Sequence, residues 1–135
     1  MFLNRLSADY NKVFLALCYK AIGCNNEITE EELAQLNQYA TELNTAINFD
    51  EYNSKSIEDI VTSLATTNIT DKKIILSEML GILMSDGVYD DIEKGFYRDV
   101  CMKLNIPHSL AIEIEKGVEE YIESFNRFAV LILNS

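Results

Sequence analysis

The 135 residues, of which 48% are hydrophobic and 24% charged, fit one globular domain that buries a core without disulfides or metals. Asp and Glu number 22 against 11 Lys and Arg, and the formal charge of −11 argues against nucleic acid and anionic membrane as partners. The apolar stretch 128–133 is too short to span a bilayer, and three cysteines without a Cys-x-x-Cys pair are typical of a reduced, cytoplasmic protein.

The first part of the sequence predicts two helices joined by an acidic turn. Ser7 is placed to cap a first helix, and Gly23 is placed to end it. Thr29 and Glu32 form the Thr-x-x-Glu pattern of a capping box at the start of the second helix. Apolar residues recur at helical spacing in both: Tyr10, Phe14, Leu17, Cys18 and Ala21 in the first, and Leu33, Leu36, Ala40, Leu43 and Ile47 in the second.

The middle of the sequence predicts a connection and two more helices. Residues 44–56 mix polar with aromatic residues, and we expect a loop or broken helix held to the core by its aromatic rings. Ser56 is placed to cap a short helix, and Thr70-Asp71 to start the next. That next helix, 72–85, is apolar around most of its circumference, so we expect it to be the central and most buried one.

The last part of the sequence predicts another turn and two helices. After Asp86-Gly87, Asp90 and Glu93 repeat the capping arrangement at the start of a helix. Pro107 then starts a final helix of about 26 residues, roughly 39 Å long. Its apolar stripe either closes the core of a monomer or serves a homodimer. No segment alternates with period two, so the predicted fold is all-α.

Two acidic stretches, 25–32 and 86–93, lie 61 positions apart and have the same structural role. Each closes one apolar helical run and opens another, and the second helix ends in Leu-Asn both times. The sequence therefore predicts a single-domain helical bundle of six to seven helices, built from two duplicated helix-turn-helix units at about 12–44 and 73–107.

The second acidic turn offers hard oxygen ligands suited to calcium or magnesium: Asp86, Asp90, Asp91 and Glu93. The same residues are also explained by capping, because acidic side chains favour a helix N-terminus and Gly87 suits a tight turn. An EF-hand is excluded, since Ile82 and Met84 occupy the upstream ligand positions of such a loop. A divalent cation and simple capping remain the two interpretations of this turn.

Catalytic machinery is sparse in this sequence. His108 is the only histidine, and no nucleophile and base, phosphate-binding glycine loop or zinc spacing accompanies it. We therefore expect no enzyme. An exposed Tyr89 at the tip of the second turn, together with Glu30 and Glu31 in the first, would suit contact with a protein partner that has a basic surface.

The string Met84-Ser85-Asp86-Gly87-Val88-Tyr89-Asp90-Asp91-Ile92-Glu93, followed by Phe96, Val100, Leu104 and Ile106-Pro107, resembles the Ala-Asp-Gly-x-x-x-x-x-Glu signature of tellurite-resistance TerB-like domains. The resemblance implies an all-helical bundle of duplicated helix pairs, found in tellurite and stress-response systems and attached to chaperone or membrane-associated proteins. It implies no enzymatic reaction, and it implies acidic clusters suited to metal. Asn25 and Asn26 replace Asp-Gly in the first copy, which departs from the pattern.

Two non-enzymatic functions follow from these observations. The first is a TerB-like stress or tellurite-resistance module whose acidic turns bind a cation or a protein partner, without direct insertion into a membrane. The second is a small acidic immunity or anti-defence inhibitor that binds a basic toxin or nuclease. The first requires Asp86, Asp90 and Glu93, whereas the second can use acidic residues elsewhere on the surface, such as Glu113, Glu119, Glu120 and Glu123.

Overall fold

The computed structural model describes residues 2–134, and every regular element in that range is helical. Two short 3-10 turns, Leu3–Arg5 and Ala8–Tyr10, precede seven α-helices. The helices are α1 Asn11–Ile22, α2 Glu30–Glu42, α3 Phe49–Ser54, α4 Ile57–Leu64, α5 Ile69–Leu83, α6 Asp91–Lys103 and α7 His108–Leu133. The chain is a single-domain, all-α bundle, as the sequence predicted.

The bundle contains the two duplicated helix-turn-helix units, α1 with α2 and α5 with α6. The bounds of α6 lie 61 positions after those of α2, and α5 ends 61 positions after α1. Left-handed residues recur in the same way: Asn26 (φ 63°) corresponds to Gly87 (φ 81°), and Asn44 (φ 48°) to Asn105 (φ 60°). The two units therefore share a backbone conformation at both of their chain reversals.

The core forms around α5, which packs against α1, α2, α6 and α7. Its apolar side chains point in nearly all directions, and several have no exposed surface: Ile75, Leu76, Met79, Leu80, Ile82 and Leu83. The prediction of a central, most buried helix is confirmed. Because α1 and α5 lie against each other, the turns that follow them come together at the same end of the bundle.

Some helix boundaries differ from the prediction because several polar residues compete for the capping position. Asn68, and not Thr70-Asp71, caps α5, and its Oδ1 accepts a hydrogen bond from the amide of Asp71 at 2.8 Å. Ser7 makes no side-chain cap and precedes a 3-10 turn instead of α1. Ser56 does cap α4 through the amide of Asp59, as predicted.

The connection after α2 folds into a short helix, α3. Asn48 caps it by accepting a hydrogen bond from the amide of Glu51 at 3.0 Å. Tyr52 is buried and packs with Phe49 and Tyr19, with ring centroids 6.4 Å and 5.7 Å away. The aromatic rings hold this segment to α1, as expected, and the helical turn is the broken-helix alternative of the prediction.

The long helix α7 has 26 residues and packs on the core only through its first half. Ala111 and Val118 are buried, and Ile122 is the last large side chain of α7 that packs against the core. The apolar stripe was expected to close the core or serve a dimer, and it does the former only as far as Ile122. Gly117 does not interrupt the helix. Among residues 2–134 no helix is both long and apolar enough to cross a membrane.

Candidate functional site

The two acidic turns are built in the same way. Oδ1 of Asn25 accepts a hydrogen bond from the amide of Glu27 at 3.0 Å, and Oδ1 of Asp86 accepts one from the amide of Val88 at 2.9 Å. Such a side-chain turn reverses the chain over two residues, and a left-handed residue completes it. The polar residue at the start of each turn therefore has a local structural role.

Both turns lead into a complete capping box. In the first box the amide of Glu32 donates to Oγ1 of Thr29 at 3.1 Å, and the amide of Thr29 donates to Oε1 of Glu32 at 3.0 Å. In the second, the amide of Glu93 donates to Oδ1 of Asp90 at 2.8 Å, and the amide of Asp90 donates to Oε1 of Glu93 at 3.0 Å. The predicted capping boxes are confirmed, and each glutamate is held in a fixed position by its own backbone.

The turns contact each other through a side-chain hydrogen bond. Nδ2 of Asn25 donates to Oδ2 of Asp90 at 2.9 Å, and this hydrogen bond, with that from the amide of Glu93, lowers the pKa of Asp90. An aspartate at position 25, as in the Asp-Gly pattern, would instead set two carboxylates against each other. The difference between Asn25 in the first turn and Asp86 in the second therefore has a physical reason at the junction of the turns.

The glutamates of the two capping boxes meet beneath this hydrogen bond. Glu32 is 1% exposed and Glu93 is 2% exposed, and the two carboxyl groups are close enough to interact electrostatically. Burial is the main cause that raises the pKa of Glu93 to about 7; the hydrogen bond from the Asp90 amide opposes it, and the carboxylates of Asp90, Glu32 and Asp86 add to it. Burial also raises the pKa of Glu32, although hydrogen bonds from Thr29 counteract it.

This carboxyl pair needs a proton or a cation. Oε2 of Glu32 is buried, and no donor among residues 2–134 forms a hydrogen bond with it. An ionised Glu93 cannot supply one, because a carboxylate donates a hydrogen bond only when it is protonated. None of the ion pairs among the described residues involves Glu32, Glu93, Asp86 or Asp90. The site therefore holds uncompensated negative charge at pH values above the pKa of Glu93.

Cys24 lies beside this pair and is half-buried. Burial, followed by the carboxylates of Glu93, Asp90 and Glu32, raises the pKa of its thiol to about 11. The thiol is protonated at neutral pH, so it is a poor nucleophile and a poor metal ligand.

The four predicted metal ligands are placed as follows. Asp90 and Glu93 face the junction, Asp86 caps the second turn, and Asp91 is exposed in the first turn of α6. Across residues 2–134, no three His, Cys, Asp or Glu side chains are arranged as a group that could hold a metal ion. In the present arrangement these residues do not fit a metal centre, and their binding of calcium or magnesium stays a prediction.

Tyr89 differs from the expectation of an exposed contact residue. It is half-buried, and its hydroxyl donates to Oε2 of Glu115 at 2.6 Å, while Lys94 lies over its ring at 5.6 Å. Arg98 pairs with the other oxygen of Glu115 at 3.1 Å. The ring is fixed between α6 and α7 because the buried Glu115 needs a donor, which sequence periodicity does not reveal. Glu30 and Glu31 are exposed, as a partner surface would require.

The site gains three residues that the sequence did not assign to it, namely Cys24, Asn25 and Glu32. Glu32 and Glu93 are equivalent positions of the two repeats, 61 residues apart, and this equivalence is the sequence feature that could have placed Glu32 in the site. The contact between Asn25 and Asp90 joins residues far apart in sequence and has no local signature. His108 is exposed at the first position of α7, away from these turns in sequence.

No protein-family model, curated protein or solved structure matches this chain. The likeness of residues 84–107 to the TerB-like signature accordingly stays a prediction from the sequence.

Proposed function

We propose that this protein is a non-enzymatic, TerB-like binding module whose paired acidic turns bind a cationic group. The observation that carries the proposal is the buried pair Glu32 and Glu93, which face each other with no ion-pair partner in the described part of the chain, 2–134. Burying like charges costs stability, and such arrangements concentrate at functional sites.

The rim of this site adds further negative charge. Glu30, Glu31 and Asp91 are exposed in the first turns of α2 and α6, and Asp86 and Asp90 are half-buried between them. A lysine or arginine of a partner protein fits this rim, because a basic side chain needs acceptors but no fixed coordination geometry. A free divalent cation is the second source of positive charge to be tested. To bind it, the carboxylate side chains would have to change rotamer so that three or more of them converge on one point.

The titration of the pair couples binding to pH. With the pKa of Glu93 at about 7, the pair holds a proton below neutrality and loses it above. A cation that binds there competes with that proton, so its affinity should increase from pH 6 to pH 8.

The test is a calorimetric titration at both pH values with calcium, magnesium, manganese, zinc and a short lysine-rich peptide. The variant Glu32→Gln with Glu93→Gln removes both charges and keeps the capping boxes, since glutamine also serves at that position. Asp50→Asn with Asp59→Asn, at exposed positions of α3 and α4, removes the same two charges elsewhere and is the matched control for net charge. We expect saturable binding that the double variant loses and the control retains. Absence of binding to every probe, or equal binding by the double variant, would overturn the proposal.

The second candidate, an acidic inhibitor of a basic toxin or nuclease, is favoured by a separate surface. Glu113, Glu119 and Glu120 are exposed along α7 and face solvent. If this surface is the functional one, charge reversal of these three residues abolishes binding to a basic ribonuclease, while the double variant at Glu32 and Glu93 leaves it unchanged.

A further inference from the structure

The second half of α7 exposes an apolar surface that nothing in the bundle covers. Tyr121, Phe125, Phe128 and Ile132 follow one another at spacings of four, three and four, and they are 53–62% exposed. This spacing places them on one face of the helix, in the a and d pattern of a coiled coil. Three more apolar side chains follow around the last turns: Val130, Leu131 and Leu133.

These turns of helix have little support from the rest of the molecule. Every residue in 123–134 is exposed except Ala129, which is half-buried. An unsupported helix of about three turns is marginal in water. Moreover, the four side chains of this face, each at least half exposed, leave on the order of 450 Å² of apolar surface in water, as large as the main patch of a typical monomer at ~300–600 Å², which is often functional. Another surface should therefore pack on this face.

The distribution of charge along α7 lets a second copy of this chain pack on this face. The chain carries a formal charge of −11, but residues 124–134 contain no Asp or Glu and one basic residue, Arg127. Two copies can therefore meet through this segment without bringing carboxylates into the interface. About 450 Å² from each copy gives about 900 Å² of apolar surface, which at the ~65% apolar share of homodimer interfaces corresponds to roughly 1,400 Å² in total, within the ~1,200–2,000 Å² of stable complexes.

The same charge sets the orientation. In a parallel pair the two acidic bundles would lie side by side, whereas in an antiparallel pair they lie at opposite ends of the joined helices. We infer that this protein forms an antiparallel homodimer through residues 121–133 of α7.

The first test measures mass in solution by sedimentation equilibrium at micromolar concentration. We expect twice the chain mass of 15.4 kDa for the wild type and 15.4 kDa for the variant Phe125→Glu with Phe128→Glu. Both rings are 60% or more exposed in the single chain, so the bundle of the variant should stay folded by circular dichroism. Met102→Glu, which changes an exposed apolar residue on α6, is the matched control and should stay dimeric. A monomeric wild type, or a variant that stays dimeric, would overturn the inference.

The second test separates the orientations. Under mild oxidation a mixture of Ser124→Cys and Leu131→Cys should form a covalent heterodimer, because antiparallel pairing of Tyr121 with Ile132 brings positions 124 and 131 of the two copies together. Asn134→Cys alone should not cross-link, with the wild type as the reference for its own thiols. Efficient cross-linking of Asn134→Cys would indicate a parallel pair and overturn the antiparallel arrangement. Flotation with neutral phosphatidylcholine vesicles tests the other apolar occupant, and recovery of monomeric protein with the vesicles would contradict a self-association surface.

Discussion

Single residues set the geometry of the two turns. Asn26 and Gly87 occupy equivalent left-handed positions, but only glycine adopts this conformation without a steric cost from a side chain. The first turn has asparagine at this position, and asparagine is among the non-glycine residues that adopt the left-handed conformation most readily. The two copies therefore differ in local strain although their backbones agree.

Gly87→Ala should lower the free energy of unfolding by about 1 kcal/mol, because alanine is strained at a φ of 81° although no atom within 4 Å obstructs its Cβ. Chemical denaturation measures this effect. Gly95→Ala is the control, since Gly95 lies in α6 with open space around it and alanine favours a helix by roughly 0.5–1 kcal/mol. Equal destabilisation by both changes would contradict the assignment of strain to the turn.

Glu93 makes stability depend on pH. Its pKa of about 7 in the folded protein is higher than the ordinary value of 4.5, so its contribution to stability is full below pH 4.5 and is lost as pH rises through 7. Glu93→Gln should therefore gain about 1–2 kcal/mol over the wild type at pH 8, and little at pH 5. Urea denaturation at both pH values measures the difference, with Asp59→Asn as the variant expected to show none. A gain of equal size at both pH values would assign the effect to packing.

At the scale of elements, the junction between the turns connects α1 and α2 to α5 and α6. The hydrogen bond from Asn25 to Asp90 joins the two units at a point where both carry negative charge. Its amide donor prevents a like-charge contact, and so a small polar side chain determines how closely the two turns approach.

Asn25→Asp should lower the thermal midpoint by roughly 2–5 °C at pH 7, because a carboxylate replaces the donor to Asp90. The loss should shrink at pH 4, where one of the two carboxyls takes up a proton. Differential scanning calorimetry at both pH values is the measurement, and Asn37→Asp, exposed on α2, adds the same charge elsewhere. A loss that is the same at both pH values would rule out repulsion as its cause.

The sequence predicts the elements whose signals are local. Both capping boxes follow from residues within one turn of each other, the central helix from one continuous apolar segment, and the offset of 61 from comparing two such local patterns. The start of α5 was missed because Asn68, Thr70 and Asp71 can all cap a helix, and only packing selects among them. The contact of Asn25 with Asp90 and the exposure of Phe125 depend on tertiary structure, which helical periodicity does not contain.

At the scale of the whole molecule, charge is distributed unevenly between the bundle and the second half of α7. Acidic residues cover the bundle, while residues 124–134 carry none. The net charge of −11 keeps bundles apart, and the segment without acidic residues is the part of the surface where copies can meet.

Dimerisation should therefore strengthen with salt. Because two bundles of like charge repel each other even at opposite ends of an antiparallel pair, raising sodium chloride from 50 to 500 mM should lower the dissociation constant of the dimer several-fold. Sedimentation velocity across a concentration series gives this constant. A dissociation constant that rises with salt would mean that ion pairs, and not the apolar face, hold the dimer together.

The presence of both units in one chain also allows equivalent positions of the two units to hold different residues. Two separate identical units joined at this end would have to carry the same residue at 25 as at 86, and the same residue at 29 as at 90. A single chain that holds both units carries Asn25 and Thr29 in one and Asp86 and Asp90 in the other. Because both units lie in one chain, their sequences can differ. The junction can therefore have a hydrogen-bond donor on one side and an acceptor on the other, which an assembly of identical units related by symmetry cannot have.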